Sequence, residues 1–203
     1  MPTLNSLRST RLIQVAFLCL WVSGCASFQI KNSPEPEKGG PVKEQRLLSV
    51  PFFPDHTDQC GPSALASVLT FWGHPIDPLV LKKEIYVAHL KGSLSIDLLL
   101  AAQHRGFKAC LYNGSIDDLK AELNKGHPLV AFINRGYDFL PIGHFVVVSG
   151  YDEARQGLYV HSGLVKNQFI RYGSFLKNWD KTQRSTLLIL PSDQDKGSLN
   201  ERT

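Results

Sequence analysis

The stretch from Asp58 to Gly73, DQCGPSALASVLTFWG, constrains this chain more than any other. It sets a cysteine directly ahead of a short, crowded apolar run that opens at Pro62 and stops at Gly73. Pro62 suits the first position of a helix, because its missing N–H would have had no intrahelical partner. Gly73 can adopt the left-handed conformation that ends one. Cys60 then sits at the positive end of the first core helix. Unpaired backbone N–H groups there stabilise a thiolate and can donate to a developing oxyanion, which is what a cysteine nucleophile needs.

The remaining sequence must supply a core for that helix. With 203 residues, 43% of them hydrophobic, one folded unit is expected. The formal charge of +4 falls by two when Arg8 and Arg11 are set aside with the N-terminal segment. No basic run interleaved with aromatics appears, so a nucleic-acid partner is not expected.

Residues 1–24 read as a lipoprotein signal peptide. Arg8 and Arg11 form a positive start, and the apolar run Leu12 to Val22 is well short of the roughly twenty residues that span a bilayer. The run ends in Val22-Ser23-Gly24-Cys25, which resembles the lipobox of bacterial lipoproteins and implies acylation of Cys25. An ordinary secretory signal whose cleavage leaves a cysteine is the alternative. The resemblance implies a bacterial envelope location. With Ala26 after the cysteine, it implies the outer membrane facing the periplasm if the host is Gram-negative.

Residues 25–45 hold the lipidated cysteine and a solvated tether rich in Pro, Gly and charge, and 46–191 form the folded domain. Leu47 to Phe53 is extended, because Pro51 and Pro54 oppose helix. Asp77-Pro78 caps a helix over Leu79 to Ala88, and Ser95 or Ile96 opens a third that stops at Gly106. Phe107 to Tyr112 reads as a strand, and Ser115 starts a helix with capping-box spacing that Gly126 ends. Strands follow at Pro128 to Asn134, His144 to Gly150, Gly157 to His161, Gln168 to Arg171 and Thr186 to Leu190, with a short helix over Tyr172 to Trp179. Residues 192–203 form a polar tail. The expected class is α+β, an N-terminal helical lobe packed on a mostly antiparallel sheet.

Helices before a sheet, with a cysteine on the first core helix and a histidine on a later strand, is the arrangement of papain-like hydrolases. Asp58 to Ala66, followed by Gly143-His144-Phe145-Val146-Val147-Val148-Ser149-Gly150-Tyr151-Asp152, looks like the double-glycine, bacteriocin-processing cysteine peptidases (peptidase family C-thirty-nine). It resembles most the stand-alone bacterial lipoprotein members, over about residues 48 to 190. The resemblance implies a papain-like cysteine peptidase fold, with Cys60 as nucleophile and His144 as base. His144 opens a strand after a loop, Arg135 to Gly143, that can line a cleft. A histidine hydrogen-bonded at a strand end is the duller reading.

Two positions depart from the family pattern. The strand after the histidine usually ends there in Asp or Asn, which orients the imidazole; here Ser162 stands in that place. A serine holds a ring orientation but cannot stabilise an imidazolium with a full charge. Asp152 lies too close behind the histidine strand and reads as part of a turn. The resemblance also implies a glutamine a few residues before the cysteine, but the segment is Pro54-Asp55-His56-Thr57-Asp58, which leaves Gln59 and the Cys60 N–H as oxyanion candidates.

Cys110 reads as a small core residue, with a Cys60–Cys110 disulfide or a buried inert Cys60 thiol as alternatives. A zinc site from His56, Cys60, His144 and His161 has no supporting spacing, so no metal or cofactor is expected. The expected function is a lipid-anchored cysteine peptidase acting on peptide or protein substrates outside the cytoplasm, with family resemblance implying cleavage after small residues such as Gly-Gly. A degenerate, partner-binding version of the fold and amidase or acyl-transfer chemistry on cell-wall peptides are the alternatives.

Overall fold

The computed structural model describes residues 44–55 and 58–192. The signal peptide, Cys25, nearly all of the tether and the tail beyond Ser192 lie outside the described residues. Among those described, no helix is long and apolar enough to cross a membrane.

In chain order the elements are β1 (Gln45–Leu47), α1 (Cys60–Phe71), α2 (Pro78–Ile85), α3 (Ser95–Gln103), β2 (Lys108–Asn113), α4 (Ile116–Asn124) and β3 (Leu129–Asn134). There follow β4 (Gly143–Asp152), β5 (Gly157–Ser162), β6 (Val165–Arg171), α5 (Tyr172–Trp179) and β7 (Ser185–Leu190). The strands run in the order β2-β7-β3-β4-β5-β6, with β1 added to β4, and every pair is antiparallel. The helices α1, α2 and α3 pack on one another, and α1 and α3 also meet the sheet. The α+β expectation therefore holds.

The centre is α1, in which Gly61 through Leu69 are all buried. A helix buried on every side has no polar stripe, which is why its sequence is so evenly apolar. It begins at Cys60 itself, so Pro62 occupies the third helical position rather than the first. The cost is nil, because first-turn N–H groups have no intrahelical acceptor and the first such bond runs from the Ser63 N–H to the Gln59 carbonyl at 2.8 Å. Gly73 ends the helix at φ +82° as expected, and the Trp72 indole N–H donates to the Ile189 carbonyl at 2.9 Å, tying α1 to β7.

The predicted caps are present. Asp77 Oδ1 accepts from the Leu79 N–H at 2.8 Å, and Ser115 and Asp118 exchange side-chain and backbone bonds at the start of α4. The second helix stops at Ile85 and not at Ala88. Tyr86 is extended and Val87 pairs with Gly92, so Ala88 to Leu90 becomes a 3-10 turn whose far side reaches the functional cleft. Strand β1 was not expected: three exposed residues carry no alternation, and only pairing with Gly150 to Asp152 makes them a strand. Asp152 closes β4 as well as opening the following turn, where its Oδ1 accepts from the Arg155 N–H at 3.0 Å.

Cys110 is exposed rather than in the core, and it is a free thiol like Cys60, so no disulfide joins them. Its strand β2 ends the strand order, with α3 packed against it, and successive residues point to opposite faces. Ala109 and Leu111 are partly buried against the core while Lys108 and Cys110 point away.

Candidate active site

Three backbone segments converge at the start of α1. The chain from Leu48 runs beside β4, with the Leu48 N–H donating to the Ser149 carbonyl at 2.8 Å, and then crosses the end of β5. There the Asp55 N–H donates to the Gly163 carbonyl at 2.9 Å, and Asp55 Oδ1 accepts from the Gln59 N–H at 2.9 Å. Asp58, at φ +47°, turns the backbone into the helix. Cys60 is thereby held where the backbone N–H groups of Gly61 and, from the neighbouring strand, Phe145 donate to its sulfur.

His144, the second residue of β4, is 3% exposed. Pairing of Val147 with His161 brings the end of β5 alongside the start of β4, and Ser162 Oγ lies 3.1 Å from His144 Nε2. With its proton on Nε2, the ring donates to Ser162 and keeps the Nδ1 lone pair for the thiol. A ring nitrogen of His144, the Cys60 sulfur and an Asp55 carboxylate oxygen all lie within 4.8 Å of one another. The serine therefore stands where the resemblance led us to expect the orienting acid.

Electrostatics here favour a neutral pair. Burial pushes the Cys60 thiol up from its ordinary value, and the Asp55 carboxylate adds to that rise against the opposing backbone N–H groups and Arg135. Burial, followed by the Arg135 guanidinium, lowers His144 to about 4. Ser162 brings a hydroxyl and not a carboxylate to Nε2, so the carboxylate near the imidazole is that of Asp55.

A cleft of about 310 Å³ opens over this pair. One wall is the turn Leu90 to Leu94, and the other carries Phe132, Arg135, Ile142 and Gly143. The loop Arg135 to Gly143 is ordered by Asn134, whose Oδ1 accepts from the N–H groups of Gly136 and Ile142, each at 2.9 Å. Gly61 lets the opposite wall approach: a Cβ there would lie 3.0 Å from Ser93 Cβ. Beneath Cys60 is a second, smaller cavity of about 20 Å³, bordered by Asp55, Ser63 and His161, with room for about one water. Ser63 Oγ is buried beside it with no hydrogen-bond partner.

The other candidates sort out by their bonds. Gln59 gives its backbone N–H to Asp55 Oδ1, and the residues that line the cleft and the small cavity include Asp55 and Cys60 but not Gln59. His161 uses both ring nitrogens, Nε2–H donating to the Val50 carbonyl and Nδ1 accepting from the Asn167 N–H, each at 3.1 Å. It is a structural residue. His56 lies outside the described residues. Asp55 is the site residue that sequence reasoning missed. Its signal was present, since it occupies the segment in which the family resemblance implied a glutamine.

Comparison with known proteins agrees with this geometry. The fold is similar to a putative C39-like peptidase from Bacillus anthracis (TM-score 0.60, 20% identity, 73% of this chain and 98% of that one). It is also similar to a double glycine motif protease from an AMS/PCAT transporter, solved with its leader peptide (TM-score 0.59, 21% identity, 74% and 100%). The peptidase domain of Streptococcus ComA gives a TM-score of 0.57 at 20% identity, over 72% and 98%. No curated protein sequence matches the chain significantly. These likenesses and the cysteine–histidine cleft define a papain-like cysteine-peptidase fold. The Peptidase_C39 like family matches residues 47–187, and the chain belongs to that family.

Proposed function

We propose that the chain is a cysteine peptidase that hydrolyses peptide bonds in the bacterial envelope, held to the membrane by a lipid on Cys25. The observation that carries this reading is the approach of the Cys60 sulfur, at the first residue of a buried helix, to an imidazole whose far nitrogen is oriented by Ser162. His144 Nδ1 takes the thiol proton as sulfur attacks the scissile carbonyl carbon, and the Cys60 N–H faces the developing oxyanion. The imidazolium returns that proton to the leaving amine, which departs and leaves a thioester on Cys60. His144 then deprotonates a water that releases the acid and restores the thiol. The double glycine motif protease among the structural neighbours supports small residues before the cleaved bond.

The test is turnover of a Gly-Gly-containing fluorogenic peptide by the full-length chain in detergent and chelator, with mass spectrometry of the acyl group on Cys60. Cys60→Ala and His144→Ala abolish both signals. Transfer of the acyl group to an added amine in preference to water moves the assignment to acyl-transfer chemistry. Release of the protein from membranes by Cys25→Ser supports the anchor, and retention refutes it.

A second reading is favoured by one observation: the resting pair is a neutral thiol and a neutral imidazole, beside a carboxylate and lacking the triad acid. On that reading the cleft holds a peptide or partner without cutting it. Absence of both turnover and acyl-Cys60 selects it.

A further inference from the structure

We infer that Asp55, Cys60 and His144 form a binding site for a divalent transition metal, Zn²⁺ above all, whose occupancy blocks the thiol. The blocking consequence rests on the peptidase reading; the binding does not.

The donor set is thiolate, imidazole and carboxylate, the three protein ligands that Zn²⁺ prefers. Among the described residues these three form a group whose ligand atoms all fall within 4.8 Å of one another. A tetrahedral ion needs its ligands about 3.3 to 3.8 Å apart, a contraction of about 1 Å that side-chain torsions can supply. The fourth position faces the cleft, which gives both an entry path and room for a water.

Two of the three ligands are already oriented by a second contact. His144 Nε2 is engaged with Ser162 at 3.1 Å, so Nδ1 is the free donor, the arrangement in which a ligating histidine gives its other N–H to a polar neighbour. Asp55 is pinned at its backbone by Gly163 and at Oδ1 by the Gln59 N–H, which leaves Oδ2 for the ion. Spacing along the chain hid this set, because no two of the ligands share a helix face or a strand.

Charge also balances. Binding breaks the Cys60 S–H bond, releases that proton to water and forms a zinc–sulfur bond. Thiolate and carboxylate then cancel the two positive charges of the ion, whereas an amide at position 55 would leave one uncompensated. Arg135 lines the same cleft and opposes a cation, while Asp58 on its other side favours one. Once coordinated, the sulfur shares its charge with the cation and is a much weaker nucleophile, and His144 has no Nδ1 lone pair to accept a proton.

The experiment uses the full-length chain in detergent with Cys19, Cys25 and Cys110 replaced by Ser, so that Cys60 is the only thiol. After removal of metals with a chelator and buffer exchange, Co²⁺ is titrated in. The expected result is saturation at one equivalent with a thiolate-to-cobalt charge-transfer band and visible bands of tetrahedral intensity, both lost on adding Zn²⁺. Cys60→Ser removes the charge-transfer band, and Asp55→Asn, which keeps shape and the Gln59 bond, weakens Co²⁺ by at least about tenfold. Absence of the band at millimolar Co²⁺, or equal affinity in Asp55→Asn, overturns the site. Protection of Cys60 from alkylation by Zn²⁺ in the parent gives a second readout that needs no variant at position 55; no protection likewise overturns it. Peptide turnover in chelator without Co²⁺ binding refutes the metal site and keeps the peptidase; Co²⁺ binding without turnover does the reverse.

Discussion

Replacing Ser162 with Asp restores a charge at the atom that most depends on one. The serine oxygen lies 3.1 Å from His144 Nε2, so a carboxylate there would centre its charge about 4 Å from the imidazolium. At an effective dielectric of about 20 that is an attraction of about 4 kcal/mol, or about 3 pH units on the histidine. Burial of the new carboxylate and repulsion from Asp55, which borders the same small cavity, take back part of it. The expected net rise in the His144 pKa from about 4 is therefore on the order of 1.5 to 3 units. Proton transfer from Cys60 becomes easier by the same amount, so alkylation of Cys60 at neutral pH accelerates by about tenfold or more. The assay pairs an NMR titration of the imidazole Cε1–H, assigned by its absence in His144→Gln, with the alkylation rate in a parent whose Cys19, Cys25 and Cys110 are replaced by Ser. A His144 midpoint unchanged to within about half a unit in a variant of unaltered circular dichroism would refute the electrostatic account.

Two further outcomes are expected. The folded pKa of His144, about 4, lies below its ordinary 6.5, so between these values the unfolded chain binds more protons and the folded state loses stability as pH falls. The loss reaches about 3 kcal/mol by pH 4, and burial lowers His161 in the same direction. Urea unfolding at pH 7 and pH 4.5 checks this, and an equal pH slope in His144→Gln would count against it. Gly143→Ala should lower stability by about 1 to 3 kcal/mol, because a Cβ there would meet Phe132 Cζ at 2.6 Å. Phe132 packs on Phe145 at 4.7 Å, and the Phe145 N–H serves the Cys60 sulfur, so thiol reactivity should change with it. Thermal unfolding and the alkylation rate read the two effects, and an unchanged melting temperature contradicts the contact.

Much of this was legible because it is local. Pro62 and Gly73 mark the two ends of α1, Asp77 and Ser115 cap their helices, and short apolar runs bounded by turn residues mark the central strands, all through signals that act within a few residues. Two of the misses share a cause, which is that their contacts are distant in sequence. The β1 strand exists only through Gly150 to Asp152, and Cys110 is exposed because it alternates with Ala109 and Leu111, which take the face that packs on the core. Val87 leaves the helical path to pair with Gly92.

The candidate site divides along the same line. Residue types and order alone determined a cysteine at a helix start, a histidine opening a strand, and a serine where an acid was expected. Only the tertiary structure decided that Ser162 touches His144, that Gln59 turns its backbone to Asp55, and that Asp55 itself stands beside the thiol. Helix and strand signals follow from the backbone's own periodicity. The balance of charge around Cys60 depends on which side chains β4, β5 and the segment before α1 bring within a few ångströms, and no periodicity encodes that.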